Sequence, residues 1–195
     1  WGHGVHRFFV AYEAARGAWI KLDVVTDLLY GRPVRRFRVE LASDCLARRR
    51  RWGATYLLQP EHELATLLLH CLLDKEALSP EHSRRLAELR EEIRGDEERR
   101  QWLLRFLGDL AGPSPGGERW VSALAAGDWA SLLAGRRQIQ GRLTAREPIA
   151  SAWRWASATL AGAARPALAG LATRGIAIAL LGPDGAGKST LAAGL

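Results

Sequence analysis

The chain has few cysteines, few lysines and no long apolar run. Its two cysteines, Cys45 and Cys71, form no C-x-x-C pair, so the sequence carries no redox or zinc motif of that spacing. The longest uncharged apolar stretches, 156–164 and 175–183, are shorter than the roughly 20 residues that a transmembrane helix needs. Signal-peptide features are absent as well. We therefore expect a cytoplasmic protein without a transmembrane segment.

Acidic residues are also too few to balance the basic ones. The net charge is +7, and lysine and arginine together number 28. Arginines cluster at 35–51 and again at 136–174. A basic chain invites a role in binding nucleic acid or an anionic membrane. No zinc-finger spacing, aromatic-bearing RNA motif or heptad repeat accompanies the arginines, so we expect solvated helix faces and no specific nucleic-acid binding.

Two runs of β-favouring residues near the start predict an antiparallel hairpin. They cover residues 5–13 and Ala18–Val25, and an Ala-Ala-Arg-Gly turn at 14–17 joins them. Successive residues of a strand point to opposite faces, so Asp23 shares a face with Lys21.

The segment after the hairpin predicts one more strand and one short helix. The strand is expected over 34–41. Ser43 or Asp44 is expected to cap a helix that runs through Arg51 and ends at Gly53.

Residues 60–145 predict a series of amphipathic helices. Ser79 and Asp96 are the expected N-caps of two of them, and a loop at 112–117 precedes two shorter helical pieces. The first helix presents an apolar face with helical spacing, formed by Leu64, Leu67, Leu68, Cys71 and Leu72. His70 lies beside this face and is expected to be a core-edge histidine with one hydrogen bond.

Residues 146–173 predict a basic linker or packing helix. Its apolar line contains Ile149, Trp153 and Leu160, and the helix is expected to end near Pro166. An amphipathic helix on a membrane surface is the alternative.

Residues 182–190 read GPDGAGKST and match the phosphate-binding pattern G-x-x-x-x-G-K-[ST]. The apolar run 176–181 precedes the loop and a helix start follows it, which is the order that such a loop requires. Its glycines allow backbone angles at which successive N–H groups point at a phosphate. Lys188 can place its charge on the β- and γ-phosphates, and the Ser189 hydroxyl can ligate Mg²⁺.

The pattern therefore predicts ATP and Mg²⁺ as cofactors. Ser189 is the expected contact of the metal ion. The predicted nucleotide-binding residues are Gly182, Asp184, Gly185, Ala186, Gly187, Lys188, Ser189 and Thr190.

This loop resembles that of the thymidylate kinase family, in which an acidic residue stands two places after the first glycine. Here that residue is Asp184. The resemblance implies that Asp184 contacts the 3′-hydroxyl of a nucleotide acceptor, and that Lys188 and Asp184 are the catalytic residues. The expected function is an ATP-dependent nucleoside-monophosphate kinase. The alternative is a P-loop ATPase, or a regulatory ATP-binding module on a nucleotidyltransferase-like scaffold.

The upstream segments resemble bacterial proteins that join a nucleotidyltransferase-like domain to such a kinase domain. The similar pieces are AWIKLDVVTDL (18–28), LARRRRWG (46–53) and HELATLLLHCLLDK (62–75). By this resemblance Asp23 takes a metal-binding position. An exposed strand carboxylate that faces Lys21 is the other interpretation of Asp23.

These features predict an α+β N-terminal domain, with a small antiparallel sheet and helices, followed by the start of an α/β P-loop NTPase domain. The expected boundaries are 1–77 for the nucleotidyltransferase-like region, 78–145 for a helical region, 146–173 for the linker, and 174–195 for the first strand, loop and helix start. Because the chain begins at Trp1 and stops soon after the loop, we expect a truncated fragment without phosphotransferase activity of its own. A homodimer is a further expectation.

Overall fold

The computed structural model describes residues 6–32, 36–112 and 116–171. The chain divides into two compact units, Trp1–Thr159 and Leu160–Leu195. The described part combines helices with three antiparallel sheets of two strands each. It therefore belongs to the α+β class, as the sequence predicts.

The first sheet is the predicted hairpin. Strands β1 (His6–Glu13) and β2 (Ala18–Val25) pair antiparallel, with Phe9 opposite Leu22. Gly17 adopts a φ of 60° in the turn between them, a conformation that favours glycine. All eight side chains of β2 are exposed.

The second sheet is shorter than the sequence predicts. Strands β3 (Leu29–Tyr30) and β4 (Phe37–Arg38) have two residues each, so the strand expected over 34–41 is too long and β3 was not expected. Gly31 follows β3 with a φ of 104°, and a Cβ atom built there would lie 2.5 Å from the Phe37 ring. The close approach of the two strands therefore requires glycine at this position.

The expected helix through Arg51 is wrong. Helix α1 (Ala42–Ala47) ends earlier, and the arginines after it form strand β5 (Arg50–Trp52), which pairs with β6 (Thr55–Leu57). Gly53, expected to end the helix, lies in the turn of this hairpin with a φ of 58°. The guanidinium of Arg49, the residue before β5, lies 4.6 Å from the centroid of the Tyr56 ring on β6, which is a cation–π contact.

The expected cap of α1 is wrong as well. Ser43 and Asp44 both lie inside the helix, whose N-cap is Leu41, and no side chain caps its first turn. Asp44 is thereby available for contacts with other helices.

The remaining elements are helical. They are α2 (Pro60–Leu69), a π-helical segment (His70–Lys75), α3 (Pro80–Arg94), α4 (Glu97–Ala111), α5 (Gly116–Ala126), α6 (Trp129–Ala134), α7 (Arg136–Arg146) and α8 (Pro148–Leu171). Both predicted N-caps are confirmed. Ser79 Oγ accepts a hydrogen bond from the His82 amide at 3.2 Å, and Asp96 Oδ1 accepts one from the Arg99 amide at 3.1 Å.

The core lies between these helices and the second sheet. Buried side chains from Tyr30 to Leu143 form one contiguous cluster. The predicted apolar face of α2 is confirmed, except that Leu67 is only partly buried. The largest fully buried side chains are leucines with one isoleucine: Leu41, Leu64, Leu68, Leu69, Leu72, Leu73, Leu86, Leu89, Leu107, Leu110, Leu132 and Ile139. Each such burial stabilises the fold by about 1.5–3 kcal/mol relative to an exposed side chain.

Helix α8 is longer than expected. It continues past Pro166 to Leu171, so the predicted end near Pro166 is wrong. Its predicted apolar line is exposed at Ile149 and Trp153. Arg154 faces the other way and donates a hydrogen bond to the Arg36 carbonyl at 3.2 Å. No described helix has both the length and the hydropathy of a membrane span.

Candidate functional site

The predicted phosphate loop lies outside the described residues, and its assignment remains a prediction from the sequence. The same is true of every nucleotide-binding residue named for it: Gly182, Asp184, Gly185, Ala186, Gly187, Lys188, Ser189 and Thr190.

Asp23 lies on the exposed strand β2, opposite Phe8. Asp27, the next aspartate in the chain, accepts a hydrogen bond from Arg38 Nε at 2.9 Å and is held beside β4. Within the described ranges, no group of three or more His, Cys, Asp or Glu side chains is placed to hold a metal ion. The metal role of Asp23 therefore remains a prediction.

Asp44 accepts hydrogen bonds from side chains of two other helices. Its Oδ2 atom accepts hydrogen bonds from His62 Nε2 and from Trp102 Nε1, both at 2.9 Å. The His62 and Trp102 rings also contact each other, with centroids 4.3 Å apart. We call Asp44, His62 and Trp102 the Asp44 cluster. It connects α1, α2 and α4 through one carboxylate oxygen.

The electrostatics of the cluster favour an ionised Asp44. Burial acts to raise the pKa of Asp44, but it is outweighed by the hydrogen bond and charge of His62, the hydrogen bond of Trp102 and the charge of Arg48. The pKa of Asp44 is therefore below its ordinary value. An ionised carboxylate accepts stronger hydrogen bonds than a neutral oxygen does.

A second carboxylate, Glu61, lies fully buried next to the cluster. Neither of its oxygens accepts a hydrogen bond from the described residues. Arg48 Nη2 lies 3.9 Å from one oxygen and Arg99 Nε lies 3.7 Å from the other. Both arginines also contact exposed acids, Arg48 with Glu98 and Arg99 with Asp96, each at 3.0 Å. Glu61 is thus stabilised by charge on two sides, which offsets part of the cost of burying it.

This arrangement supports the fold and is poorly suited to acid–base catalysis. The His62 side chain is completely buried, with Nε2 on Asp44 and Nδ1 3.6 Å from Glu61. A general base must reach the proton it removes, directly or through one water. His62 cross-links α1 and α2 through Nε2, whereas the buried Nδ1 makes no hydrogen bond with the described residues.

A second polar cluster lies at the π-helical segment. Asp74 Oδ2 is 2.8 Å from His70 Nδ1, and Asp74 Oδ1 accepts a hydrogen bond from the Gly31 amide at 2.7 Å. Arg32 Nε donates to the Asp74 carbonyl at 2.8 Å. These contacts attach the helical segment to the end of β3. The expectation that His70 is a core-edge histidine with a hydrogen bond is confirmed, because its side chain is partly exposed.

The π-helical geometry itself was not expected. π-helical turns are rare and occur frequently at functional sites. Here His70 and Asp74 lie side by side, and Asp74 contacts the glycine turn after β3. The close spacing of a histidine and an aspartate in the sequence is the only signal that could have indicated this contact.

A cavity of about 340 Å³ between α3, α4 and α5 has arginines in its wall. The three arginines contact two acids of their own helices. Arg90 and Arg94 contact Glu91 at 3.0 and 3.3 Å, and Arg100 contacts Glu97. The arginine hydrogen bonds lower the pKa of Glu91, which favours its ionised form. Two of the three positive charges of this wall are therefore balanced.

Comparisons of the chain with family models, with curated proteins and with solved structures gave no match.

The Asp44 cluster was missed by sequence reasoning, which treated Asp44 only as a cap. Its hydrogen-bonded partners lie 18 and 58 positions away along the chain. No local spacing connects such residues, and only the packing of α2 and α4 against α1 brings them together.

Proposed function

We propose that the protein binds ATP with Mg²⁺ and transfers a phosphoryl group to a nucleoside monophosphate, in the manner of the thymidylate kinase family. The observation that carries this proposal is the loop GPDGAGKST at 182–190. It combines a complete phosphate-binding pattern with an acidic residue two places after the first glycine.

The division of roles follows from charge. Lys188 supplies a positive charge for the β- and γ-phosphates, which carry most of the negative charge of ATP. Ser189 supplies a hard oxygen ligand for the Mg²⁺ that accompanies them. The Asp184 carboxylate repels the phosphates. By the resemblance to the thymidylate kinase family it contacts a hydroxyl group of the acceptor nucleotide, which can donate a hydrogen bond to a carboxylate.

The reaction needs little covalent chemistry from the protein. Phosphoryl transfer depends mainly on aligning the donor and the acceptor and on neutralising charge in the transition state. The loop residues perform the donor half of this task, and Asp184 holds the acceptor nucleotide by its 3′-hydroxyl. A phosphate oxygen of the acceptor receives the γ-phosphoryl group, and ADP leaves.

The test measures the affinity for ATP, the donor, separately from the affinity for the acceptor nucleotide. Asp184→Ala in the full protein should weaken binding of deoxythymidine monophosphate by about tenfold to a hundredfold, which corresponds to one hydrogen bond to a charged group. ATP affinity should change by less than about threefold, because the lysine and backbone contacts remain. Isothermal titration calorimetry with each nucleotide measures both quantities.

Asp109→Ala is the matched control, because Asp109 is an exposed aspartate on α4, outside the loop. Equal losses of ATP and acceptor affinity in Asp184→Ala would contradict the kinase assignment. Turnover of ATP by the full protein without any acceptor would favour the ATPase alternative.

A further inference from the structure

Strand β2 has an exposed edge and exposed faces. Within the described residues it pairs with β1 only. Its large apolar side chains are open to solvent, including Trp19 (67% exposed) and Leu22 (58% exposed). A two-stranded hairpin is marginally stable in water, and three or more strands with an apolar face are needed for independent stability. A free strand edge is also a template for pairing with another chain.

We propose that β2 pairs antiparallel with β2 of a second copy of the chain, around a two-fold axis at Leu22. The strand reads AWIKLDVV over Ala18–Val25, and its charges lie symmetrically about Leu22. In this register Lys21 lies opposite Asp23 of the second copy. Because the pairing is reciprocal, two opposite-charge pairs form.

The apolar residues match in the same register. Ile20 lies opposite Val24, and Trp19 lies opposite Val25. Directly opposed side chains on an antiparallel pair interact across the strands, and opposite charges and β-branched pairs are both favourable. Lys21 and Asp23 each already have an interaction within the chain, and the proposal does not require either of them to be free.

Neighbouring registers are less favourable. An axis at Lys21 places two lysines opposite each other, and an axis at Asp23 places two aspartates opposite each other. An axis that lies between Leu22 and a neighbouring residue shifts the pairing by one position. Leu22 then lies opposite Lys21 or Asp23, which belong to the other face of the strand. Only the axis at Leu22 pairs opposite charges and keeps Ile20, Leu22 and Val24 on one face.

The product is a four-stranded sheet in the order β1-β2-β2-β1. Phe9 lies opposite Leu22 within each hairpin, so the apolar face extends over all four strands. This sheet meets the strand number that an isolated hairpin lacks. The interface is independent of nucleotide binding.

The experiment uses charge reversal and the full chain. Lys21→Glu converts both cross-strand pairs into acid–acid pairs, and Asp23→Lys converts both into base–base pairs. Each variant should raise the dissociation constant of the dimer by about tenfold to a hundredfold, since two attractions become two repulsions. Sedimentation velocity over about 1–100 µM protein detects a dimer whose dissociation constant lies in that range.

Mixing the two variants is the decisive step. Glutamate at 21 of one chain then faces lysine at 23 of the other, and Asp23 faces Lys21, so a heterodimer should form with close to wild-type affinity. Native mass spectrometry distinguishes it from the homodimers. Arg7→Glu is the matched control on β1, where Arg7 is exposed and lies opposite Val24. It should leave the dimer unchanged.

Three results would overturn the proposal. They are a wild-type chain that is monomeric across the whole range, a dimer that neither reversal weakens, and a mixture that stays monomeric while each variant retains the far-ultraviolet circular dichroism of the wild type. The last comparison excludes unfolding as the reason for lost association.

Discussion

Replacing Asp44 with alanine is the most direct perturbation of the described fold. The substitution removes the one oxygen that accepts hydrogen bonds from both His62 and Trp102. It keeps a good helix former in α1, where the Asp44 side chain caps nothing but places its charge in the first turn, a contribution of about 0.3–1 kcal/mol. The effect on stability therefore reports the connections between helices.

The expected loss of stability follows from the exposure of Asp44 and of its two hydrogen-bond donors. Hydrogen bonds to charged groups contribute about 1.5–3 kcal/mol each, and the lower end applies because the Asp44 side chain is 40% exposed. His62 is fully buried and loses the partner of its Nε2 atom. Trp102 is only partly buried, so its indole N–H can donate to water instead. We expect Asp44→Ala to lower the free energy of unfolding by about 3 kcal/mol, a large share of the 5–15 kcal/mol typical of a domain.

The assay is urea unfolding followed by circular dichroism at 222 nm, with Asp109→Ala as the control that should change stability by less than about 0.5 kcal/mol. In a Trp102→Phe background the loss caused by Asp44→Ala should be smaller by about 1 kcal/mol, because one of the two hydrogen bonds is already absent. A loss no larger than that of the control, or strictly additive losses, would refute the reasoning.

Two further predictions concern titratable groups. The pKa of Asp44 is lowered in the folded state, so its contribution is complete above the ordinary aspartate pKa of about 3.9 and disappears as the pH falls through the lower folded value. The stability difference between wild type and Asp44→Ala should therefore shrink below about pH 4 in urea titrations, and a difference that grows in acid would contradict this. The pKa of Cys45 is raised to about 11, mainly by burial and secondly by the charge of Asp44. Burial also raises the pKa of Cys71. Both thiols should resist Ellman's reagent at pH 8 in the native protein and react in denaturant, and rapid native reaction would show that they are accessible.

Local signals predicted the elements whose structure depends on neighbouring residues. The hairpin of β1 and β2 follows from two β-favouring runs around a glycine-ended turn. Ser79 and Asp96 cap their helices through amides three residues ahead. Such contacts are determined within a few positions, so the sequence is sufficient to predict them.

The errors occurred where distant residues decide the structure. Arginine favours helices, and four of them before Gly53 predicted a helix with a glycine end. The fold instead pairs Arg50–Trp52 with Thr55–Leu57. Similarly, nothing near Glu61 in the sequence indicates that it is buried, because its two arginines come from the end of α1 and from α4.

ATP binding by the loop is tested most directly by calorimetric titration of the chain with ATP and Mg²⁺, repeated with Lys188→Ala. The control is Lys75→Ala, because Lys75 is an exposed lysine outside the loop. Wild type and Lys75→Ala should bind with similar affinity, and Lys188→Ala should bind about tenfold to a hundredfold more weakly. Equal affinity for all three proteins, or no binding by the wild type, would contradict ATP binding by the loop.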